Sequence, residues 1–299
     1  MAAGTKLRTE AAPGPTVAEA VTYGDRTLAQ AGIETSRLDA QVLLAAILDV
    51  PRETVFDYPE RVLAESQFIA FAKMVGQRSA RRPVSQIVGW REFWGRDFRV
   101  TNQTLTPRPD SETLIEAVLG FWRGEEREDP PQVLDLGTGS GCLLLTLLAE
   151  IPGARGVGVE ISEMALEVAR DNAARLELED RAQMIESDWC SALPPDSRFD
   201  IVVANPPYIA DADWDALAPE VTEYEPGEAL RGGADGLDKY RMIAPQARRV
   251  LAPGGIAAFE MGAGQAPDVV RILSDAGLRT EGVHKDLAGI ERCALVSAA

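Results

Sequence analysis

The sequence is poor in the residues that carry acid–base, metal and disulfide chemistry. Its 299 residues include one histidine, His284, and three widely spaced cysteines, Cys142, Cys190 and Cys293. A single histidine argues against Ser-His-Asp and Cys-His catalysis, and the cysteine spacing matches neither a zinc site nor a disulfide framework. We therefore expect free thiols in a reducing cytoplasm, no bound metal, and a structural or merely exposed position for His284.

Long apolar runs and an excess of basic residues are also missing. No stretch of about 18 apolar residues occurs, so no membrane span is expected, and the N-terminus lacks the hydrophobic core of a secretory signal. Residues 1–100 carry 13 Lys and Arg against 12 Asp and Glu, whereas residues 101–299 carry 17 against 35. The whole chain therefore has a net charge of −17. Because binding to phosphate backbones depends on Lys and Arg, this acidic part argues against direct contact with nucleic acid. Arg78, Arg81 and Arg82 form a small basic cluster, which we interpret as a solvated helix end.

What the chain does contain is an alternation of strand and helix patterns over its last two thirds. Apolar runs bounded by glycine and proline predict strands at 132–136, 155–160, 181–186, 199–204, 255–260, 278–284 and 291–297. Helical periodicity predicts helices at 142–151, 162–176, 239–251 and 266–276. The alternation indicates an α/β fold with a doubly wound, mostly parallel sheet whose last two strands form a hairpin.

The N-terminal part has a different pattern. Helical periodicity predicts helices at 16–31, 36–50 and 62–81, and apolar alternation predicts a β-hairpin further on. At about 100–200 residues per domain, the length predicts about two domains. We divide the chain into a flexible leader at 1–15, a helical domain at 16–83, a β-hairpin connector at 84–106 and a sheet domain at 107–299.

A polar tetrapeptide, Asn205-Pro206-Pro207-Tyr208, directly follows the apolar run 201–204. It therefore lies at the carboxyl end of a buried strand, where open α/β sheets bind their ligands. The Asn205 side-chain oxygen and the Pro206 carbonyl can accept the two hydrogens of a planar NH2 group, while Tyr208 packs against its flat face. A carboxamide and the exocyclic amine of a nucleobase both fit, and the same residues also occur in ordinary proline turns.

A glycine-rich turn follows the strand at 132–136. Gly137, Gly139 and Gly141 alternate with small polar residues, Thr138 among them, and Asp135 lies two residues before the first glycine. This spacing differs from the G-x-G-x-x-G of dinucleotide sites, and the Asp135 carboxylate would repel a diphosphate but attract an ammonium or a sulfonium. S-adenosyl-L-methionine carries both cations. We therefore predict it as the cofactor, with S-adenosyl-L-homocysteine as the product.

Two further acids extend the predicted cofactor site. Glu160 ends the next strand 19 residues beyond Gly141, close to the offset of about 20 at which a carboxylate binds ribose hydroxyls; the alternative is a helix cap near Ser162. Asp188 closes a third strand and would accept from the adenine amino group, with Trp189 against the ring. A loop aspartate beside a half-buried tryptophan fits these two residues equally well.

Methyl transfer needs neither histidine nor a metal, because alignment of nucleophile, methyl carbon and leaving sulfur carries the rate. An amide nitrogen is a weak nucleophile, since its lone pair is delocalised into the carbonyl. Acceptors at Asn205 and Pro206 would stabilise the positive charge that develops on that nitrogen, and the proton can then leave to water. We predict Asn205, Pro206 and Tyr208 as the catalytic group and count Asn205 among the cofactor contacts as well.

The chain resembles the bacterial release factor N(5)-glutamine methyltransferases over nearly its whole length, from about residue 16. Glycine loop and tetrapeptide are shared with many amino-methyltransferases, whereas the segments Thr106 to Glu112 and Arg91 to Trp94 are far more specific. The other matching segments are Arg37 to Ala40, Arg82 to Gly89, Ser187 to Trp189, Glu223 to Pro226 and Asp286 to Arg292. The resemblance implies a Rossmann-like, seven-stranded S-adenosylmethionine-dependent methyltransferase sheet. It also implies methylation of the glutamine in the Gly-Gly-Gln loop of class I peptide chain release factors, which tunes translation termination.

The resemblance also implies roles for individual residues. The family's Asn and first Pro grip the substrate amide, and these correspond to Asn205 and Pro206 here. The helical domain is expected to dock the release factor, and the enzyme is expected to be a cytoplasmic monomer that binds no nucleic acid directly. Many relatives have Asp in place of Glu160, a one-methylene change that should preserve ribose binding. The remaining predicted substrate contacts are Pro207, Tyr208, Arg108 and Glu112, the last two at the mouth of the site unless they are only a helix-start charge pair.

Two alternative functions stay open at this point. An adenine N6 methyltransferase acting on DNA or RNA would use the same tetrapeptide, but it would need a basic recognition domain, which this sequence lacks. A non-catalytic cofactor-binding adaptor would carry a damaged glycine loop or tetrapeptide, and both are intact here.

Overall fold

The computed structural model describes residues 14–124 and 129–298, and the chain divides into two compact units, Met1–Val88 and Gly89–Ala299. Of the leader predicted for residues 1–15, the part from residue 1 to residue 13 lies outside the described residues. Each unit has a hydrophobic core of its own.

The N-terminal unit is helical. Its elements are α1 (Val17–Gln30), α2 (Ser36–Leu48), a 3-10 turn (Arg52–Phe56), α3 (Glu65–Ser79) and α4 (Val84–Val88). The three predicted helices are confirmed to within three residues at each end. Thr16 begins α1 with a capping box, in which its hydroxyl accepts from the Glu19 backbone while the Glu19 carboxylate accepts from the Thr16 backbone. The core between the helices includes Leu28, Leu43, Leu44 and Phe71.

A buried ion pair joins two helices of this unit. Arg78 Nε of α3 donates to Asp39 Oδ2 of α2 at 2.6 Å, and both side chains are about nine-tenths buried. The interpretation of Arg78 as part of a solvated basic helix end was therefore wrong. Arg78 and Asp39 are 39 residues apart, and periodicity along a single helix carries no information about such a partner.

The segment predicted as a hairpin connector, 84–106, holds two different structures. Residues 84–88 form α4 in the N-terminal unit, because Pro83 begins a helical turn. The Pro83 carbonyl accepts from the amides of Gln86 and Ile87. The hairpin is confined to β1 (Trp90–Phe93) and β2 (Arg96–Arg99), which pair antiparallel. Trp94 and Gly95 form its turn, both with positive φ.

The C-terminal unit is built on a seven-stranded sheet. The strands, in chain order, are β3 (Gln132–Leu136), β4 (Arg155–Glu160), β5 (Ala182–Glu186), β6 (Phe199–Ala204), β9 (Leu251–Glu260), β10 (Leu278–Lys285) and β11 (Glu291–Ala298). Their order across the sheet is β10-β11-β9-β6-β3-β4-β5. The five strands from β9 to β5 are parallel, whereas β11 pairs antiparallel with β9 and with β10. The predicted α/β fold, mostly parallel sheet and final hairpin are thereby confirmed.

Helices cover the two faces of this sheet. They are α5 (Glu112–Arg123), α6 (Cys142–Glu150), α7 (Glu163–Arg175), α9 (Asp238–Val250) and α10 (Ala266–Asp275). A short pair, β7 (Ile209–Ala210) and β8 (Arg231–Gly233), and the one-turn α8 (Pro219–Thr222) lie in the long connection between β6 and α9. Sequence analysis missed α5, although Leu114, Ile115, Val118 and Leu119 recur at helical spacing and are buried against the sheet.

The sheet's central strands are enclosed on both sides. Alternate residues of β3 and β6 belong to two separate clusters, one holding Leu134 and Val202 and the other Val133 and Ile201. A strand buried on both faces fixes its register firmly, because a shift by one residue would exchange the two sets. Within the part of the chain that is described, no helix has the length and apolar character needed to cross a membrane.

Candidate active site

The predicted site residues lie at one edge of the sheet. Leu136 at the end of β3 pairs with Ala204 of β6 on one side and with Val159 of β4 on the other. Glu160, the next residue of β4, pairs with Glu186 at the end of β5. The loops that follow these four adjacent parallel strands therefore leave the sheet side by side.

The glycine loop is tied to the neighbouring strand by its backbone. The amides of Gly137 and Thr138 both donate to the Val159 carbonyl, at 2.9 and 3.0 Å, and Gly141 donates to the Thr138 carbonyl at 2.8 Å. Gly137, Gly139 and Gly141 all have positive φ, from 53° to 81°, a conformation that favours glycine. A Cβ built on Gly139 would have nothing within 4 Å. A ligand can thus approach the backbone at the tip of this loop.

Asp135 is a fully buried carboxyl beneath the loop. Its Oδ2 accepts from the Thr138 hydroxyl at 2.7 Å, and its Oδ1 has no hydrogen-bond partner among the described residues. Burial raises its pKa to about 7, against the hydrogen bond from Thr138, which lowers it. A buried carboxyl with a spare acceptor suits a cationic ligand, whose charge would restore the ionised form.

Glu160 lies under the tip of the glycine loop. Its Oε2 accepts from the Gly139 amide at 3.1 Å, and its Oε1 accepts from the amides of Ile161 and Ser162. The helix α7 has its own cap, because the Ser162 hydroxyl accepts from Ala165. Oε1 thus accepts two hydrogen bonds and Oε2 one, so Oε2 still has lone-pair capacity for a ligand hydroxyl.

The loop after β5 contacts the glycine loop. A Cβ on Gly137 would lie 3.5 Å from the ring of Trp189, so this ring packs against the loop. Trp189 has a φ of 49°, which is unfavourable for a bulky residue and is held here by the Ser187 hydroxyl, which donates to its carbonyl at 2.6 Å. Asp188 beside it is exposed. The structure thus brings the Asp188 and Trp189 loop to the predicted cofactor site.

The tetrapeptide follows β6 and is firmly supported. Pro206 and Pro207 are buried, and Asn205 and Tyr208 are half-buried. The Tyr208 carbonyl accepts from Gln265 at 3.0 Å, and the same Gln265 side chain accepts from the Gly262 amide. The Asn205 Nδ2 donates to the Ser111 hydroxyl at 3.3 Å. The Asn205 carbonyl oxygen is therefore the end of the amide that is left to bind a substrate.

Sequence analysis missed Ser111, Gln265 and Glu260 as site residues. Glu260 ends β9 next to the tetrapeptide; it is 2% exposed, and the Tyr208 hydroxyl donates to its Oε1 at 3.5 Å. Burial raises the pKa of Glu260 to about 7. An acid directly after the apolar run 256–259 was a usable signal for it, of the same kind that singled out Glu160. Ser111 entered only as one letter of a matching segment.

Arg108 and Glu112 have defined partners. Arg108 Nη2 donates to Glu225 Oε2 at 2.6 Å, and this carboxylate, almost fully buried, also accepts from the Thr106 amide. Glu112 accepts from the Trp94 amide at 2.9 Å and thereby supports the turn of the β1–β2 hairpin. Arg108 and Glu112 are not paired with each other. Roles in substrate binding stay a prediction for both.

The histidine lies at the same edge of the sheet, where it pairs with Cys293 and Cys293 pairs with Glu260, but it is three strands away from the tetrapeptide. His284 is on β10, an edge strand separated from β6 by β11 and β9. Burial lowers the pKa of His284. The chemistry available at the tetrapeptide is therefore that of amide, carbonyl, hydroxyl and carboxyl groups, which can orient an NH2 group and stabilise positive charge on it.

Comparison with known proteins gives two family matches within the chain. Residues 19–89 match the family described as PrmC N-terminal domain, and residues 125–223 match the family described as Methyltransferase small domain. The second match covers the strands and loops that carry Asp135, Glu160, Asp188 and Asn205.

Curated relatives match the chain over most of its length. A protein of Rhodospirillum rubrum named "Release factor glutamine methyltransferase" is 46% identical over 89% of this chain and 80% of its own. Proteins with the same name from Bradyrhizobium diazoefficiens and Cereibacter sphaeroides are 42% and 46% identical. These two matches cover 93% and 91% of this chain, and 95% and 94% of the relatives.

Proposed function

The chain belongs to the release factor glutamine methyltransferase family, and from this membership we propose that it transfers a methyl group from S-adenosyl-L-methionine to a glutamine side chain of peptide chain release factors. The acceptor is the glutamine of the Gly-Gly-Gln loop. In the reaction the amide nitrogen gains the methyl group and loses one proton to water, and S-adenosyl-L-homocysteine is the second product.

The observation that carries this proposal is the position of Asn205 relative to the glycine loop. Leu136 and Ala204 are paired in adjacent parallel strands, so Asn205 and Gly137 are the next residues on each strand. Cofactor loop and amide-binding residue thus share one edge of the sheet. A substrate nitrogen held at Asn205 lies beside a donor held by the glycine loop, as an in-line transfer requires.

The predicted cofactor site has the hydrogen-bond acceptors that the proposed ligand needs. S-adenosyl-L-methionine supplies an electrophilic methyl group on a sulfonium, together with an ammonium and a ribose. Asp135, with its spare buried oxygen, would bind the cationic end, and the Gly139 backbone leaves room for close approach. Glu160 would accept from the ribose hydroxyls, and Asp188 and Trp189 would bind the adenine.

The substrate side uses the tetrapeptide. The Asn205 oxygen and the Pro206 carbonyl accept the two N–H groups of the glutamine, which fixes the nitrogen and stabilises the positive charge developing on it. Tyr208 lies against the flat amide. Arg108 and Glu112 contribute at the mouth of the site, where the Arg108 guanidinium, held by Glu225, is partly exposed.

The N-terminal unit is proposed to dock the release factor. Three large apolar side chains within one short stretch of this unit are exposed: Phe56, Tyr58 and Val62. Exposed apolar side chains grouped in this way mark interaction surfaces.

Replacing Tyr58, which is 69% exposed, by serine is expected to raise the KM for the release factor about five- to tenfold. The reason is that the variant removes apolar contact area and leaves the catalytic unit unchanged, so kcat should stay the same. Steady-state kinetics with intact release factor measures both constants. Tyr23→Ser, a less exposed tyrosine on α1, is the matched control, and equal KM values for wild type and Tyr58→Ser would contradict docking through this stretch.

The function itself is tested with purified enzyme, labelled S-adenosyl-L-methionine and an intact release factor. We expect one methyl group on the Gly-Gly-Gln glutamine, located by mass spectrometry of the digested product. A release factor with that glutamine changed to alanine should accept no label. Label on adenine of added DNA or RNA, with none on the release factor, would overturn the proposal in favour of an adenine methyltransferase.

A further inference from the structure

Three residues from distant parts of the chain meet beside the tetrapeptide. Ala204 of β6 pairs with Phe259 of β9, so Asn205 and Glu260 are the next residues on two adjacent parallel strands. Ser111, 2% exposed, precedes α5 and contacts Asn205 through the hydrogen bond to its hydroxyl. The Ser111 hydroxyl is also near enough to hydrogen-bond the Glu260 carboxyl, an interaction that lowers the pKa of that carboxyl.

When Glu260 is ionised, only one arrangement gives every hydrogen-bond donor among Asn205, Ser111 and Glu260 an acceptor. A carboxylate can only accept, and a serine hydroxyl has one proton to give. Glu260 Oε2 accepts no other hydrogen bond in the described part of the chain, so it has a lone pair left for the Ser111 proton. Ser111 must then accept from Asn205, which turns the Asn205 NH2 group toward Ser111.

The orientation of the Asn205 amide decides whether the site can work. With its oxygen toward the substrate, Asn205 accepts an N–H of the glutamine amide. With the amide reversed, two NH2 groups would face each other and neither could accept. The amide alone has no preference between these orientations. A neighbouring group that can only accept a hydrogen bond from Asn205 is therefore needed to fix the orientation.

We propose that Ser111 and Glu260 are positioning residues that hold the Asn205 side chain with its oxygen turned toward the substrate amide. The inference rests on the proposed function and adds the residues that orient its central group. Neither residue needs to touch the substrate, because both act through Asn205.

Among the charged and titratable groups near Asn205, Glu260 is the one whose protonation state sets the direction of the hydrogen bonds. The charged and titratable groups that face it come from five elements: Tyr208 after β6, Asp110 before α5, Tyr240 of α9, Cys142 of α6, and Arg292 and Cys293 of β11. Arg292 is paired with Asp110 and Asp286 at 2.9 Å each. Burial raises the pKa of both tyrosines and both cysteines well above neutrality.

A protonated Glu260 would reverse the polarity of the group. It could donate to Ser111, which could then donate to the Asn205 oxygen and remove that oxygen from the substrate. The reversal is reached as pH falls through the pKa of Glu260, about 7. Wild-type kcat at saturating S-adenosyl-L-methionine is therefore expected to fall on the acid side of neutrality.

The test measures kcat against pH for wild type, Ser111→Ala and Glu260→Gln, with the intact release factor as substrate. Each variant is expected to lower kcat at pH 8 about tenfold to a hundredfold. Each should also lack the acid limb, which is the fall of kcat below neutral pH, because neither variant can reverse the direction of the hydrogen bonds when the pH changes. KM for the release factor should not change. Thr146→Val, which removes a fully buried hydroxyl inside α6, is the matched control and should keep both kcat and the acid limb.

The outcomes separate this inference from the proposed function. A wild-type enzyme that methylates no release factor overturns the proposed function. An active wild type whose kcat and acid limb are unchanged in Ser111→Ala or in Glu260→Gln overturns the inference alone. An acid limb that persists in both variants assigns it to another group and likewise overturns the role of Glu260.

Discussion

Replacing Asn205 by alanine is expected to lower kcat about a hundred- to a thousandfold while leaving cofactor affinity nearly unchanged. Loss of one preorganised group that stabilises developing charge has an effect of about this size. Asn205 contacts Ser111, whereas the predicted cofactor residues Asp135 and Glu160 lie on β3 and β4. Single-turnover methylation of the release factor gives the rate, and calorimetric titration with S-adenosyl-L-methionine gives the affinity.

The matched control for this variant is Asn102→Ala. Asn102 is an exposed asparagine of the segment between β2 and α5, and its substitution should change neither quantity. If Asn205→Ala loses cofactor affinity as strongly as it loses rate, the residue belongs to the cofactor site, and the assignment to the substrate amide is wrong.

Replacing Asp135 by asparagine is expected to stabilise the cofactor-free protein at pH 8 and to weaken cofactor binding. The rise of the Asp135 pKa from 3.8 to about 7 corresponds to roughly 4 kcal/mol of unfavourable charge burial at neutral pH and above. A new buried NH2 group without a partner costs about 1–3 kcal/mol. The free energy of unfolding, measured by urea titration, should therefore increase by about 1–3 kcal/mol at pH 8.

The same variant predicts a dependence on pH with a definite sign. A carboxyl whose pKa is raised on folding stabilises the protein below its ordinary pKa, and this contribution is lost as pH rises through about 7. The difference between variant and wild type should accordingly shrink toward pH 5. Wild-type affinity for S-adenosyl-L-methionine should rise between pH 6 and 8, as Asp135 ionises. In the variant it should be flat with pH and about ten- to a hundredfold lower at pH 8.

A matched comparison for Asp135→Asn is Asp200→Asn. Asp200 is a less buried aspartate on β6 that accepts from the Gln132 amide at the opposite end of the strand. It should change neither cofactor affinity nor its pH dependence. If Asp135→Asn binds S-adenosyl-L-methionine as tightly as the wild type, the carboxyl serves only the shape of the loop.

The central sheet could be predicted from the sequence because its strands are short apolar runs between glycine and proline. β3, β4 and β6 begin and end where the pattern places them. The glycine loop and the tetrapeptide were recognisable for the same reason, since each directly follows such a run. A strand end is a local signal, and the topology of α/β sheets turns it into a position in space.

Partners from distant parts of the chain could not be predicted in this way. Asn205 and Ser111 are 94 residues apart, and Arg108 and Glu225 are 117 apart. These contacts depend on how α5 and the connection after β6 pack against the sheet, which no periodicity records. The buried ion pair of Arg78 with Asp39 was missed for the same reason. Residues 84–88 were misread because a five-residue helix is too short to show a period.

The two hydrogen bonds from the glycine loop to the Val159 carbonyl have a thermodynamic consequence. They hold the loop in its bent shape through β4, a strand paired on both sides by β3 and β5, before any ligand arrives. Association then requires little loss of backbone entropy, since the binding surface is preorganised. Differences in cofactor affinity among variants of this loop should therefore arise in dissociation rates rather than in a slow ordering step.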